Sequence, residues 1–527
     1  FFKQKTAYEI RNCDWSSDVC SSDLLRSLVS DSEGAPEILP ELSESATRLK
    51  RDKLTRVPYN HEGKHPGKRW AQLALNLMFE LGNKAIFRRC HVDSTPPAEG
   101  GVIYVATHIN GLVDPMVIAR AQNKRVISLG RHDLTTRPVI GWWSRRFGTQ
   151  PVLRRAEVEA GIVDADFARY INDRGMLTVA SCLATGHSAV VMPEGKSHQD
   201  SKLHALRTGS SRAALASAAI ADEKGLPAPV IQTVGLHWRT HHWLRTDNYV
   251  EFGETIEIPS IYSAEDRARL VSGEWVEPSY EETRKLRDRI FDVLSPMTLD
   301  APDWETFRSW KLLAHIGANK AKTPLMTLAE EVRATREVRE SIGGEENNPM
   351  INQAKEAAEI LHKNDLYATS LDSSNRLRGK SIPEHLLGLL GLLLIVSTLP
   401  ITLPSSGPQW GLAKYMAEGS DEGLDSRTTY FMLAGMFSPI FFWPPMALLG
   451  TYLYAGISLQ LVTLYTFILL MLAFYLAASI ALTGYDLWAD STTASRRVKL
   501  SKSSKGDRKS TCLNSSHSSV SRMPSSA

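Results

Sequence analysis

From Thr428 to Tyr485 the chain carries no Asp, Glu, Lys, Arg or His. A run of that length is enough for two membrane spans of roughly 20 residues with a turn between them. A further apolar segment, HLLGLLGLLLIVSTLPITLP at 385–404, precedes it. Buried helices of soluble domains are shorter than this, so a transmembrane region is expected over 383–490. Basic residues flank it on both sides: Arg376, Arg378 and Lys380 before, and Arg496, Arg497 and Lys499 after. The positive-inside bias places both flanks, and the polar part of the chain joined to them, on the cytoplasmic face of a membrane. Three full spans would put the flanks on opposite faces. One segment is therefore expected to be re-entrant, and the stretch broken by Pro439, Pro444 and Pro445 is the candidate.

The remainder of the 527 residues reads as polar and folded. The formal net charge of the whole chain, +3, supplies no concentrated basic surface, which excludes nucleic acid as the natural partner. Residues 1–24 and about 507–527 resemble translated sequencing-adapter fragments and stand outside the fold reasoning, so 491–527 is read as a basic tail running into such a fragment. Outside those ends only Cys90 and Cys182 remain, without CxxC spacing, and they read as reduced thiols. Residues 25–67, rich in Ser, Glu, Arg and Pro, are expected to form a mobile leader. RWAQLALNLMFELGNKAIFRR (69–89) is an amphipathic helix between basic ends, suited to a membrane interface or to packing on a core.

Across 68–260, short β-branched runs alternate with helical stretches. GVIYVATH (101–108), RVISLG (125–130), SAVVMPEG (188–195), PVIQTVGL (229–236) and YVEFGETIEI (249–258) read as strands, with helices at 164–182 and 205–223. The fold class is α/β, a mixed sheet flanked by helices, followed by a charged helical extension (261–382) and the C-terminal transmembrane region.

The chemistry is carried by four blocks. In VATHINGLVDPMVIA (105–119) a strand ends at His108 and a helix is expected after Asp114-Pro115. A His oriented by a carboxylate is a general base, because the carboxylate fixes the tautomer and stabilises the imidazolium that forms. IGWWSRRFGTQPVLRR (140–155), VVMPEGKSH (190–198) with LRTG (206–209), and VGLHWRTHHWLR (234–245) with FGETIEIP (252–259) follow.

Taken in this order, the blocks resemble those of the glycerolipid acyltransferase family, which includes glycerol-3-phosphate and 1-acylglycerol-3-phosphate acyltransferases. The six-step His-to-Asp spacing, one more than the family norm, the PEGxSH form of the third block and the membrane extension look most like the fungal-type glycerol-3-phosphate and dihydroxyacetone-phosphate acyltransferases and their bacterial relatives. The resemblance implies that His108 is the base and Asp114 its orienting carboxylate. It implies that Arg154 and Arg207 bind the acceptor's phosphate, and that Glu194 and Gly195 shape the acceptor site. His242 and Arg245 match a variant of the fourth block without an assigned role, and Thr233 stands where other members carry a proline.

The implied reaction moves a fatty acyl group from acyl-CoA or acyl-carrier protein, as co-substrate, to the hydroxyl of glycerol 3-phosphate, with 1-acylglycerol 3-phosphate as the alternative acceptor. The partners are then membrane lipid, the acyl thioester donor and a small phosphorylated acceptor, with no resident cofactor. No GxSxG elbow offers a nucleophile for a covalent acyl-enzyme. His237, His241 and His242 cluster without acidic or thiolate partners, so no metal site is expected. A non-catalytic lipid-binding scaffold is the contrasting reading, and an intact general-base pair argues against it. A transporter would need more spans and charges within them.

Overall fold

The computed structural model describes residue 42 and residues 46–503, apart from 97, 123, 241–243, 343–348, 378–380, 419–423 and 456–460. The two end fragments, residues 25–41 and 43–45 of the expected leader, and His241 and His242 of the fourth block lie outside the described residues.

The sheet is built from β1 (Phe87–Val92), β2 (Val102–Ala106), β3 (Val126–Arg131), β4 (Gln150–Val152), β5 (Ser188–Val191), β6 (Val230–Trp238) and β7 (Thr246–Glu257), in the spatial order β1-β7-β6-β2-β5-β3-β4. Every neighbouring pair is parallel except β6 with β7. β2 lies centrally and is buried on both faces: Ile103 and Val105 enter one apolar layer, and Val102, Tyr104 and Ala106 the other. That two-sided burial is why VIYVA has no polar alternation. The five strands expected from the sequence are all present. β1 falls where the amphipathic helix was expected to continue, and the sequence FRRCHV reads as a charged edge strand. β4 is only three residues long, includes Pro151, and closes the opposite edge.

Helices α1 (Arg51–Thr55), α2 (Arg69–Ile86), α3 (Val113–Ala121), α4 (Ala165–Ala184) and α5 (Gly209–Glu223) surround the sheet. α4 and α5 cover the first layer; α2 and α3 cover the second. α2 packs on the core along one face and exposes apolar residues on the other. Leu75, Met78, Phe79 and Ile86 pack on the core, while Trp70, Leu73 and Leu77 are exposed. Residues 46–67, assigned from composition to a mobile leader, are packed instead: Leu54 joins Leu153 and Ile171, and His65 fastens the segment to the sheet.

His65 accepts from Gly67 N through Nδ1 (3.0 Å), so its Nε2–H donates to the Val126 carbonyl (2.9 Å). Burial pushes this imidazole down to about 4 from 6.5. The unfolded chain then binds the proton that the folded chain refuses between pH 6.5 and 4, so stability is full above pH 6.5 and falls on acidification through that window. At pH 5 the loss is about 2 kcal/mol. Thermal unfolding followed from pH 7 to pH 4 checks this; His65→Asn should flatten the curve, and an unchanged slope would refute the assignment.

The extension contributes α6 (Trp304–Lys320), α7 (Leu328–Ile342) and α8 (Pro349–Lys363), and α7 seats on β7 through Arg336, which pairs with Glu251 at 2.9 and 2.7 Å. After it come α9 (Ile382–Glu418), α10 (Leu424–Phe437), α11 (Trp443–Ala455) and α12 (Leu461–Ser501). Ile382–Glu418, Arg427–Tyr454 and Thr463–Ser501 are long and apolar enough to cross a membrane. The start of α9 meets the end of α12, where Arg497 pairs with Glu384 (3.0 Å) and His385 bonds Ser491 (3.2 Å). The proline-broken segment expected to be re-entrant is helical through Pro439, Pro444 and Pro445. The wider turn of a five-residue π segment, Ser438–Phe442, absorbs the lost hydrogen bonds.

Candidate active site

The parallel strands of an open α/β sheet end in loops at one edge, the usual place for a site. His108 follows β2 by two residues and Glu194 follows the adjacent β5 by three. Arg154 follows β4 by two, three strand spacings from β2, or roughly 14 Å at about 4.8 Å per strand.

α3 begins at Val113, one residue before Asp114, so the carboxylate lies in the first helical turn, where the helix dipole favours an anion. The side chain of Asp114 is fully buried. Its Oδ2 accepts from Ile109 N (2.6 Å), Asn110 N (2.7 Å) and His108 Nδ1 (3.1 Å). Because a carboxylate only accepts, the proton of neutral His108 sits on Nδ1. The lone pair of Nε2 is left for a substrate, and the imidazole is 18% exposed, enough to be reached.

Glu194 forms the second half of the site. One oxygen accepts from Thr107 Oγ1 (2.9 Å) and His108 N (2.8 Å), and the other from His204 N (2.8 Å) and the His198 ring. Burial by itself would raise its pKa, but the His198 bond and charge and the His204 and His108 amides together hold it below the usual carboxylate range. His198 N also donates to the His108 carbonyl (3.0 Å), so the third block grips the first on both sides of the histidine. Gly195 has φ +75°, and a Cβ there would meet the Arg207 side chain at 3.2 Å. Glycine is thus what lets Arg207 lie against the loop beside Glu194, and Arg207 N is bonded to the Pro193 carbonyl (2.7 Å).

Of the residues singled out in the sequence, His108, Asp114, Glu194, Gly195 and Arg207 are brought together. Arg154 lies on the same sheet edge with its fork closed on buried Glu157 (2.8 and 2.6 Å). Arg245, at φ +59°, donates to the Phe87 carbonyl (2.6 Å) past the end of α2 and pairs with Asp486 of α12 (2.9 and 2.6 Å). It is a bridge between domain and membrane helix, away from the acceptor. Thr233, in the proline's place, sits at a register irregularity between β6 and β7 and bonds the Glu254 carbonyl (3.0 Å).

Sequence reasoning missed His198 and His204. The signal was the PEGKSH string, but the four-residue step from Glu194 to His198 runs through a loop that no periodicity reveals. Among the described residues, Glu194, His198 and His204 present ligand atoms within 4.8 Å of one another, a set that could hold a metal ion. Both Glu194 oxygens already accept two hydrogen bonds, and His204 Nε2 pairs with Asp200 (2.6 Å). The group is therefore complete as a hydrogen-bonded knot.

A mixed α/β sheet thus presents a His/Asp pair and a braced Glu at one strand edge, in a domain attached to apolar helices. Residues 88–235 match the family model described as Acyltransferase. That stretch, a little over a quarter of the chain, holds His108, Asp114, Glu194 and Arg207. Among solved structures it is similar to the 1-acyl-sn-glycerophosphate (LPA) acyltransferase PlsC from Thermotoga maritima, at 16% identity and a TM-score of 0.26, covering 42% of this chain and 81% of that one. No curated protein matches the chain.

Proposed function

We propose that this domain transfers a fatty acyl group from an acyl thioester, acyl-CoA or acyl-carrier protein, to the hydroxyl of glycerol 3-phosphate. The observation that carries the reading is the His108 imidazole, with Nδ1 committed to Asp114 and Nε2 open. Nε2 takes the proton of the acceptor hydroxyl as its oxygen attacks the thioester carbonyl. The tetrahedral intermediate collapses, the carbon–sulfur bond breaks, and the imidazolium returns its proton to the departing thiolate. Asp114 stabilises the imidazolium in between. Glu194 keeps the backbone of His108 in place, and the acceptor's phosphate is met by Arg207 and Arg154. The same chemistry serves 1-acylglycerol 3-phosphate. A panel of glycerol 3-phosphate, dihydroxyacetone phosphate and lysophosphatidate with labelled acyl-CoA, on purified membranes, separates these acceptors; turnover with none of them leaves the lipid-binding scaffold.

The two arginines are expected to differ. Arg207→Ala should raise the KM for the acceptor about ten- to a hundredfold, the loss of charge-assisted hydrogen bonds, with the KM for the acyl donor nearly unchanged. Arg154→Ala should act more weakly on KM and also lower thermal stability, because it strips the partner from buried Glu157. Lysine at 207 should rescue only partly, supplying charge without the fork. Wild-type acceptor kinetics in both alanine variants would move the phosphate elsewhere, first to Lys196.

The same reading has the domain face the cytoplasm. This is supported by the basic flanks and by the pairing of the start of α9 with the end of α12, which puts both flanks at one end of the helix pair.

A further inference from the structure

The loop joining His108 to Asp114 distributes its amide protons in a telling way. His108 N goes to Glu194, and Ile109 N and Asn110 N go to Asp114, all within the domain. Leu112 N leaves the domain. Past Gly111, at φ +49°, it donates to Thr429 Oγ1 at 3.1 Å. Thr429 belongs to α10, part of an apolar run long enough to cross a membrane. A second, longer link joins Thr428 Oγ1 to Asn110 Oδ1 (3.5 Å), both residues buried.

The height of Thr429 against the loop is set by packing. α10 crosses α2 where both are stripped to glycine: a Cβ on Gly82 would stand 2.5 Å from the Met432 sulfur, and one on Gly435 2.9 Å from the Ala85 Cβ. Met432 and Met436 enter the same apolar layer as Val113, Met116 and Val117 of α3. Leu112 immediately precedes α3, whose first turn carries Asp114. A hydrogen bond at Leu112 therefore fixes the turn that aims the carboxylate at His108.

We infer that Thr429 is a positioning residue for acyl transfer, holding the His108–Asp114 loop through Leu112 N–H and so coupling turnover to the seating of an apolar helix. This rests on the reading of His108 as base and Asp114 as its orienting carboxylate. Removing the hydroxyl leaves a part-buried N–H without its acceptor, and the loop relaxes to recover one. The cost falls on the alignment of the base, not on either substrate's contacts.

The test uses the full chain in membranes. Thr429→Val keeps the shape and removes the acceptor; Thr429→Ala removes it and leaves room; Thr429→Ser keeps it. The valine and alanine variants should each lower kcat about tenfold with both KM values within about twofold, while serine restores kcat to within about twofold. Wild-type kcat in either acceptor-free variant overturns the inference, as does a serine variant as slow as valine. His108→Ala in the same series separates the two readings. If it is inactive while Thr429→Val is normal, only the role of Thr429 falls; if it is active, the base assignment falls and this inference with it.

Discussion

His108→Ala is expected to abolish acyl transfer while leaving the protein folded and in the membrane. The imidazole is partly exposed and belongs to neither apolar layer, so its removal opens no core cavity. What it removes is a base with an orienting carboxylate and an open nitrogen on the strand edge. General-base catalysis typically contributes a factor of about 10²–10⁴, and residual turnover should sit at or below the low end of that range. Transfer of labelled acyl groups on membranes, with thermal unfolding as the control, measures it. More than about a tenth of wild-type turnover is incompatible with the base role. Asp114→Asn should be severely impaired too, since an amide in that position cannot stabilise the imidazolium.

The second large effect is structural. A chain ending at residue 380 would lose not only its anchor but its folded domain. Met432 and Met436 are 1% and 2% exposed and complete the layer formed by α2, α3 and β2. Truncating a buried Met typically costs about 2–5 kcal/mol, so losing both removes roughly 4–10 kcal/mol from a domain whose whole stability is of order 5–15. The paired Asp486 and Asp490 would go as well, leaving Arg245 and Arg88 without their carboxylates. The truncated protein should aggregate, resist no protease and show no turnover. A soluble, monomeric, protease-resistant 1–380 chain would show that the domain is independent of its helices.

Much of this arrangement was readable from periodicity and motif order. Alternation with helical stretches revealed the five inner strands, and the position of His108 just past a strand and Asp114 in a helical turn followed from VATHINGLVDP. β1 was hidden because its arginines extend the basic end of an amphipathic helix, and β4 because three residues make no pattern. The partner of α10 was unreadable for a different reason. In a stretch without charge every face has the same hydropathy, so nothing local marks the side that meets a protein core; only the matching of Gly82 to Gly435 in space reveals it. Arg154 was singled out by motif match alone, and its closure on Glu157 three residues later depends on local geometry that a motif match passes over.

The two Arg–Asp pairs on α12 also say something about how the molecule comes into being. Arg88 meets Asp490 across 402 residues of chain, and Arg245 meets Asp486 across 241. At synthesis rates of about 5–20 residues per second, the later of these arginines waits roughly 10–50 s for its aspartate. For most of that interval the nascent sheet exists with one apolar layer incompletely covered, because the methionines that complete it have not emerged. The polar domain is therefore finished by helices made after it, and a chain cut short before Met432 keeps part of its apolar face open, recognisable to chaperones and proteases as incomplete.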